Sequence, residues 1–532
     1  MKSVLWLCLF LLLSLATRCA NHAEVFVDGH IYFVDADCYS RMTRVQMVLE
    51  HPGTIIRHHD FENYPQGISP HTTAPFDYLT AALALLLKPF AKDYLDLAGA
   101  IVSPLLGVLT TAFLWYWSRE LIQRFRKLML LLVSLSPIIV HGTVLGRPDH
   151  QSLLIFLMAV ALGAELAMAR TASKKWGVIA GLAWALGLWT SFYEPLILMA
   201  TILGAKLVFF RPQLFARERL TGNLVFLGVL AVALLIEGNH IATGIMDSLP
   251  IVGLKTADET MRHYLPQWFR TVGEMSPIWK LAQGGFFHSL LFSWVGFGLF
   301  FAPLFLIARL RDAKRSVLLL TLLVVTFFLA VAQTRWGYFF ALVFAMSLPW
   351  QLSLFHKPWL VWTLFILSLW PVLSDWDERL FPGEKRVALL AEKRFQNVEL
   401  RDMAEHLRAE KKMPFLAPWW LSPPLVYWSG QPGMTGSAHE GLAGIVDSAR
   451  FYTAADFAEA AKILHEHQVL TVIGCDPSGV IETSSNLLFK PLPKTTVAQA
   501  LWEHPHSIPP PLALTYANTL FKSFTVVKNT AR

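Results

Sequence analysis

The sequence predicts a multi-pass α-helical membrane protein that carries a soluble α/β domain at its C-terminal end. The 532-residue chain is 54% hydrophobic and only 16% charged, with a mean hydropathy of +0.46. Apolar stretches of roughly 17–22 residues recur, long enough to cross a hydrocarbon core ~30 Å thick. Beyond residue 374 these runs cease, charge rises and Pro and Gly signals appear, as expected of a water-facing domain.

The length rule gives about eleven spans, with centres at 4–20, 97–117, 128–145, 151–168, 177–191, 194–210, 221–238, 287–308, 316–333, 337–354 and 357–374. Residues 1–17 also fit a signal peptide, with Lys2 ahead of the apolar run and small residues near Ala20. An uncleaved first span is preferred, because the next motif follows closely and the downstream topology needs an inner N-terminus. Basic residues then gather in alternate loops: Arg119, Arg124, Arg126 and Lys127; Arg170, Lys174 and Lys175; Arg211, Arg217 and Arg219; Arg309, Arg311, Lys314 and Arg315. Positive-inside bias makes these loops cytoplasmic and accounts for much of the net charge of +7, so no nucleic-acid partner is implied.

The remaining loops face outward: 21–96, with an apolar helix near 77–90 too short to span, then 141–150, 239–286 and 334–336. Residues 1–375 thus form a transmembrane domain with large outer loops at 21–96 and 239–286, and 376–532 a soluble domain on the same side. In the latter, helical patterns at 386–411 and 454–467 alternate with a strand-like Val469–Ile473. Cys8, Cys19, Cys38 and Cys475 have no metal-finger spacing. A Cys19–Cys38 disulfide is left open.

Three acidic motifs fall on the outer side, where carboxylates from separate loops suit a divalent cation, a positioned substrate, or both. Asp35-Ala36-Asp37 with Arg41 is the first; its simpler explanation is a solvated loop or a helix N-cap. Asp149-His150, after Gly146-Arg147-Pro148, opens an apolar helix. It offers an oxygen and an imidazole ligand, or else Asp149 caps the helix or pairs with Arg147. Glu274 lies in a long loop with Arg262, His263, Tyr264 and Trp268, which suit a polar substrate. Arg335, between two apolar spans, either snorkels to headgroups or binds a phosphate. Glu194 reads as a structural acid, and His58-His59-Asp60 as an exposed loop.

In order and context these motifs resemble the catalytic subunit of oligosaccharyltransferases, within the GT-C membrane glycosyltransferases. Asp35 and Arg41 have the spacing of that family's first-loop Asp and Arg, with Tyr39 between them. Asp60 precedes Tyr64-Pro65-Gln66-Gly67, then His71 and an apolar helix. Gly146-Arg147-Pro148-Asp149-His150-Gln151 resembles the second acidic motif, and Thr271-Val272-Gly273-Glu274 the glutamate motif of the long loop, here followed by Pro277. The resemblance covers residues 1–375 well and the soluble domain poorly. It implies that Asp35 and Asp149, with His150, bind Mn²⁺ or Mg²⁺, and that Glu274 completes the site or positions the acceptor. It also implies that Arg335 and Arg41 hold the phosphate of a polyprenyl-linked sugar donor, with Asp37, Tyr39 and His71 at the substrate. Two departures stand out. Trp419-Trp420 is followed by Leu421-Ser422-Pro423, without the Asp that reads an asparagine sequon, and the acid expected two residues after Asp149 is Gln151.

The expected activity is transfer of a sugar or oligosaccharide from a polyprenyl-phosphate donor to a protein, lipid or polymer acceptor. Its place is the outer face of a bacterial or archaeal cytoplasmic (inner) membrane. A transporter with an acidic vestibule is the first rival, although it calls for ionisable or broken segments near the midplane, which are few. The second is an inactive family member that acts in binding or assembly.

Overall fold

The computed structural model describes residues 2–70, 74–121, 124–237, 259–281, 287–308, 314–353, 355–409, 411–490, 493 and 495–527. The chain divides into two compact units. The first holds Met1–Val25, Thr72–Ile245 and Gly273–Glu384; the second holds Phe26–His71, Met246–Val272 and Lys385–Arg532.

The first unit is helical. Its hub is the Gly337–Leu352 helix, buried along nearly its whole length, as a helix apolar on every side must be when others surround it. Around it pack Arg126–Leu135, Pro137–His141 and Lys314–Ala332. The Tyr94–Leu121 and His150–Thr171 helices form the next layer, against Lys2–Arg18 and Lys174–Thr190. By contrast, Arg217–Glu237 leaves Leu224, Leu227 and Leu235 exposed, a face suited to lipid.

Helices Lys174–Thr190 and Arg217–Glu237 approach closely because glycines line the crossing. A Cβ on Gly177 would lie 2.0 Å from the Glu218 carbonyl oxygen, and one on Gly181 would lie 2.1 Å from that of Gly222. This is the small-residue contact expected where helices meet in lipid. Nearby, the buried Glu165 carboxylate accepts from Lys206 Nζ (2.6 Å), Arg219 Nη1 (2.5 Å) and Trp184 Nε1 (3.1 Å), joining four helices.

Among the described residues, three helices are long and apolar enough to cross a membrane: Tyr94–Leu121, His150–Thr171 and Arg217–Glu237. The bent pair Pro358–Ser368 and Trp370–Leu380 makes a fourth if counted as one span. The count of about eleven is therefore not established by helix length. Several expected spans are interrupted. The stretch 128–145 breaks between Leu135 and Pro137, where proline cannot continue the backbone ladder. The stretch 287–308 breaks at Gly296, whose φ is +78°.

The second unit is α/β. Its sheet runs β3 (Phe415–Leu416), β4 (Thr471–Gly474), β6 (Lys522–Val526), β5 (Leu512–Ala517), with β3 and β4 parallel and the other pairs antiparallel. A hairpin of β1 (Phe26–Val27) and β2 (His30–Ile31) precedes the Ala36–Glu50 helix, which packs on Ser422–Ser429. The expected helices at 386–411 and 454–467 correspond to Glu384–Leu407 and Phe457–Glu466. The Glu259–Thr271 helix buries Trp268 with Leu442, Ile445, Val446 and Leu487, so a residue of the expected outer loop 239–286 joins this unit's core.

Candidate active site

One end of the first unit gathers the starts of three helices. Asp149 stands at the N-cap of His150–Thr171, Glu194 in the first turn of Tyr193–Phe209, and Arg335 in the 3-10 turn before Gly337–Leu352. Helix N-termini carry partial positive charge, which stabilises carboxylates and attracts anions. The turn leading to Asp149 is fixed from below. Arg18 Nε donates to Thr143 Oγ1 (2.8 Å), Asn21 Nδ2 donates to the Leu145 carbonyl (2.9 Å), and the Gly146 N–H donates to the Ala100 carbonyl (2.9 Å). Gly146 has a φ of +75°, which favours glycine in so tight a turn.

The Asp149 side chain makes no capping bond to its helix. It turns instead to His150, whose Nδ1 lies 2.6 Å from Asp149 Oδ1. The Arg147 guanidinium lies 3.8 Å from Asp149 Oδ2 and donates from Nη2 to Glu274 Oε1 at 3.3 Å. Its Nη1 meets the His141 ring at 3.0 Å, and His141 in turn meets the Tyr338 hydroxyl at 3.0 Å. Arg335 forms the second node: Nε donates to Glu194 Oε1 at 2.5 Å and Nη2 to His150 Nε2 at 3.2 Å. The hydrogen-bond network turns the Gln151 carboxamide oxygen to Arg335, where it accepts from Nε at 2.8 Å and from Nη2. Glu194 also accepts from Ser191 Oγ at 3.1 Å.

Of the expected site residues, Asp149, His150, Glu274 and Arg335 belong to this one network. The others lie in the second unit. Asp35 caps the Ala36–Glu50 helix, accepting from the Cys38 N–H at 3.1 Å. Asp37 is exposed and Arg41 buried. Tyr39 is buried against Phe33 and Trp428, its hydroxyl accepting from the Phe33 N–H at 3.0 Å. His71 lies outside the described residues. Sequence reasoning missed Glu194 and Gln151 as neighbours of Arg335. The available signal was an acid beside Pro195 at another turn predicted to lie on the same side.

Among the described residues, no three His, Cys, Asp or Glu side chains gather as a metal-binding group. A hard cation nonetheless fits the chemistry of the carboxylates. Asp149 and Glu274 are hard oxygen donors, and both lie against the Arg147 guanidinium, whose place beside them a bound cation would take. His150 fits less well as a ligand here. Its Nδ1–H is turned to Asp149 and its Nε2 accepts from Arg335, so the single in-plane lone pair of the neutral ring is directed to a guanidinium.

No protein-family model matches the chain. It is 31% identical over 165 residues to dolichyl-phosphooligosaccharide-protein glycotransferase 2 of Archaeoglobus fulgidus, a stretch covering 30% of this chain and 27% of the relative. The A. fulgidus oligosaccharyltransferase solved in complex with Zn and sulfate superposes with a TM-score of 0.67 at 15% identity, over 97% of this chain and 79% of that one. The chain has the oligosaccharyltransferase fold. This GT-C fold extends to ArnT from Cupriavidus metallidurans bound to undecaprenyl phosphate, with a TM-score of 0.55 at 12% identity over 99% of this chain and 98% of that one. The GT-C resemblance drawn from the motifs is thereby supported by the sequence relative and by the solved structures.

Proposed function

We propose that the protein is a glycosyltransferase moving a sugar or glycan from a polyprenyl-phosphate-linked donor to an acceptor at the outer face of a membrane. The observation that carries this is the double node of Arg147 with Asp149 and Glu274, and Arg335 with Glu194. It joins a fixed guanidinium, suited to a phosphate, to carboxylates suited to an acceptor or a cation. Kinship with a dolichyl-phosphooligosaccharide glycotransferase and likeness to a structure holding undecaprenyl phosphate support the donor class.

In the reaction the bond from the anomeric carbon to the phosphate oxygen breaks and a bond to the acceptor atom forms. The acceptor loses a proton, and the polyprenyl phosphate leaves with the electron pair. Arg335 stabilises charge on the departing phosphate. Glu274, held by Arg147, orients the acceptor by accepting its hydrogen bond and takes the proton it loses. A divalent cation, Mn²⁺ or Mg²⁺, bound by Asp149 and Glu274 would add Lewis-acid stabilisation of the leaving group. Asp35, Asp37, Tyr39, Arg41, His71 and His150 are assigned to donor, acceptor or cation on sequence position. The same assignment includes about eleven spans, a cytoplasmic membrane, and residues 376–532 on its outer side.

We propose an acceptor other than an asparagine sequon: a lipid, a polymer or a different protein site. At the Trp419-Trp420 segment, Leu421 stands where an acid is needed, and the next hydroxyl, Ser422, donates to the Thr435 carbonyl at 2.7 Å.

The test is a mass-spectrometric comparison of glycolipids, polymers and glycopeptides in a deletion strain complemented with wild type or with Asp149→Ala. Loss of one glycan on deletion, restored only by wild type, names the acceptor. Full restoration by Asp149→Ala, or altered solute uptake with every glycan intact, removes the proposal in favour of a scaffold or a transporter.

A further inference from the structure

Arg335 is held by a cradle whose charge is set by two neighbouring positions. Glu194 has no exposed side-chain surface and meets Nε at 2.5 Å; Gln151, also buried, meets the same guanidinium with a neutral oxygen. A guanidinium in a poorly hydrated site keeps little attraction for a further anion once it is over-neutralised. One carboxylate and one amide leave the cradle neutral. Two carboxylates would leave it at one negative charge and repel a phosphate. No carboxylate would leave a cation free to turn.

We propose that Glu194 is a positioning residue that fixes the Arg335 guanidinium for the donor phosphate, and that Gln151 is amide rather than acid so that this cradle accepts the phosphate's charge. The inference rests on the glycosyltransferase proposal and goes beyond it. It assigns work to a buried acid expected to be structural, and it explains the departure at position 151 as a charge requirement. The geometry supports orientation rather than simple neutralisation. Glu194 is itself pinned by Ser191 Oγ and takes Nε, whereas Nη2 is directed to His150. The Nη1 donors would then meet the phosphate.

The experiment uses full-length protein in nanodiscs, with undecaprenyl phosphate as the probe and native mass spectrometry as the readout. The deletion strain reports glycan recovery in parallel. Q151E is expected to weaken binding at least tenfold. The swap Q151E/E194Q, which keeps one carboxylate and one amide at the cradle, is expected to return binding to within threefold of wild type. E194Q alone is expected to bind the probe within threefold of wild type yet restore less than a tenth of the glycan, with E194D recovering part of it. A purely structural Glu194 would lose probe and glycan together. If Q151E fails to fold, the split between binding and recovery in E194Q still decides. Equal losses in Q151E and in the swap, or unimpaired glycan in E194Q, overturn the cradle while leaving the donor assignment intact. Wild type that ignores the probe, or R335Q that binds it equally well, overturns the donor assignment and this inference with it.

Discussion

At the scale of single residues, Arg147 is the group whose loss propagates furthest. One guanidinium meets His141 and Glu274 and approaches Asp149. A lysine carries the charge but not the planar fork needed to reach separate partners. Arg147→Lys is therefore expected to fold normally and lose more than tenfold of the proposed glycan-forming activity, with unchanged thermal midpoint and lowered product in the complemented strain as the combined readout. Equal activity would mean that the fork is dispensable. Asp149 was legible because its His150 neighbour and Arg147 make an unusual charged run at the mouth of an apolar helix, and Glu274 because it lies in a long loop between spans. Glu194 was not, since an acid in the first turn of a helix is ordinary. Only its 2.5 Å bond to Arg335, 141 positions away, marks it. The Asp149 cap and the Asp149 site were both open in sequence. The side chain turns toward His150 and makes no capping bond.

At the scale of elements, the helices are legible and their breaks only partly so. The apolar segment expected at 77–90 is the Ala74–Leu87 helix, and the one expected at 151–168 is His150–Thr171. Both follow from unbroken apolar runs. The turn at 142–149 is different, because the bonds from Arg18, Asn21 and Ala100 that set it come from distant sequence. No local pattern encodes them. The crossing of Lys174–Thr190 on Arg217–Glu237 is likewise written as glycines whose partner sequence does not reveal. Gly181→Val would place its Cβ 2.1 Å from the Gly222 carbonyl oxygen. Backbone cannot yield there as a flexible side chain would, so overpacking should cost about 1–3 kcal/mol. Thermal unfolding in detergent should show a lower midpoint. Gly204→Val, at a glycine with open space around it, should show almost none; equal shifts would remove the close-crossing explanation.

At the scale of the whole molecule, the second unit draws its residues from three separate stretches, which composition and periodicity could not join. One consequence is its response to pH. Burial pushes the Glu62 carboxyl up to about 7, although Ser40 and Arg44 pull the other way. His467 is drawn down by burial, but its hydrogen bonds to Asp447 Oδ2 (3.0 Å) and the Tyr64 carbonyl (3.2 Å) raise it on balance. Both ring nitrogens face acceptors, so the folded unit favours the imidazolium. For Glu62 the folded state holds the proton over a range where the unfolded chain has released it, from the usual 4.5 to about 7. Stability therefore falls as pH rises through that window, by up to about 3 kcal/mol. For His467 the contribution is full below the ordinary 6.5 and is lost as pH rises through the higher folded value. The two act in the same direction. Asp447 acts oppositely: burial raises its pKa, but the bonds from His467 and Arg450 hold it below 3.8, so its contribution fades only as pH falls further. His59, in the same unit, opposes Glu62 below pH 6.5, because burial holds its pKa well below the ordinary value and the unfolded chain takes up the proton first. Above 6.5 nothing among the described residues offsets His467, so the second unit should weaken from pH 6.5 toward pH 8. Hydrogen exchange of the full-length protein, corrected for intrinsic rates, should show faster opening around residues 36–50 and 442–453 at the higher pH. Glu62→Gln should flatten the arm between 4.5 and 7, and His467→Gln the arm above 6.5. Identical protection at pH 6.5 and pH 8 in wild type would show that His467 is not held by the partners assigned to it.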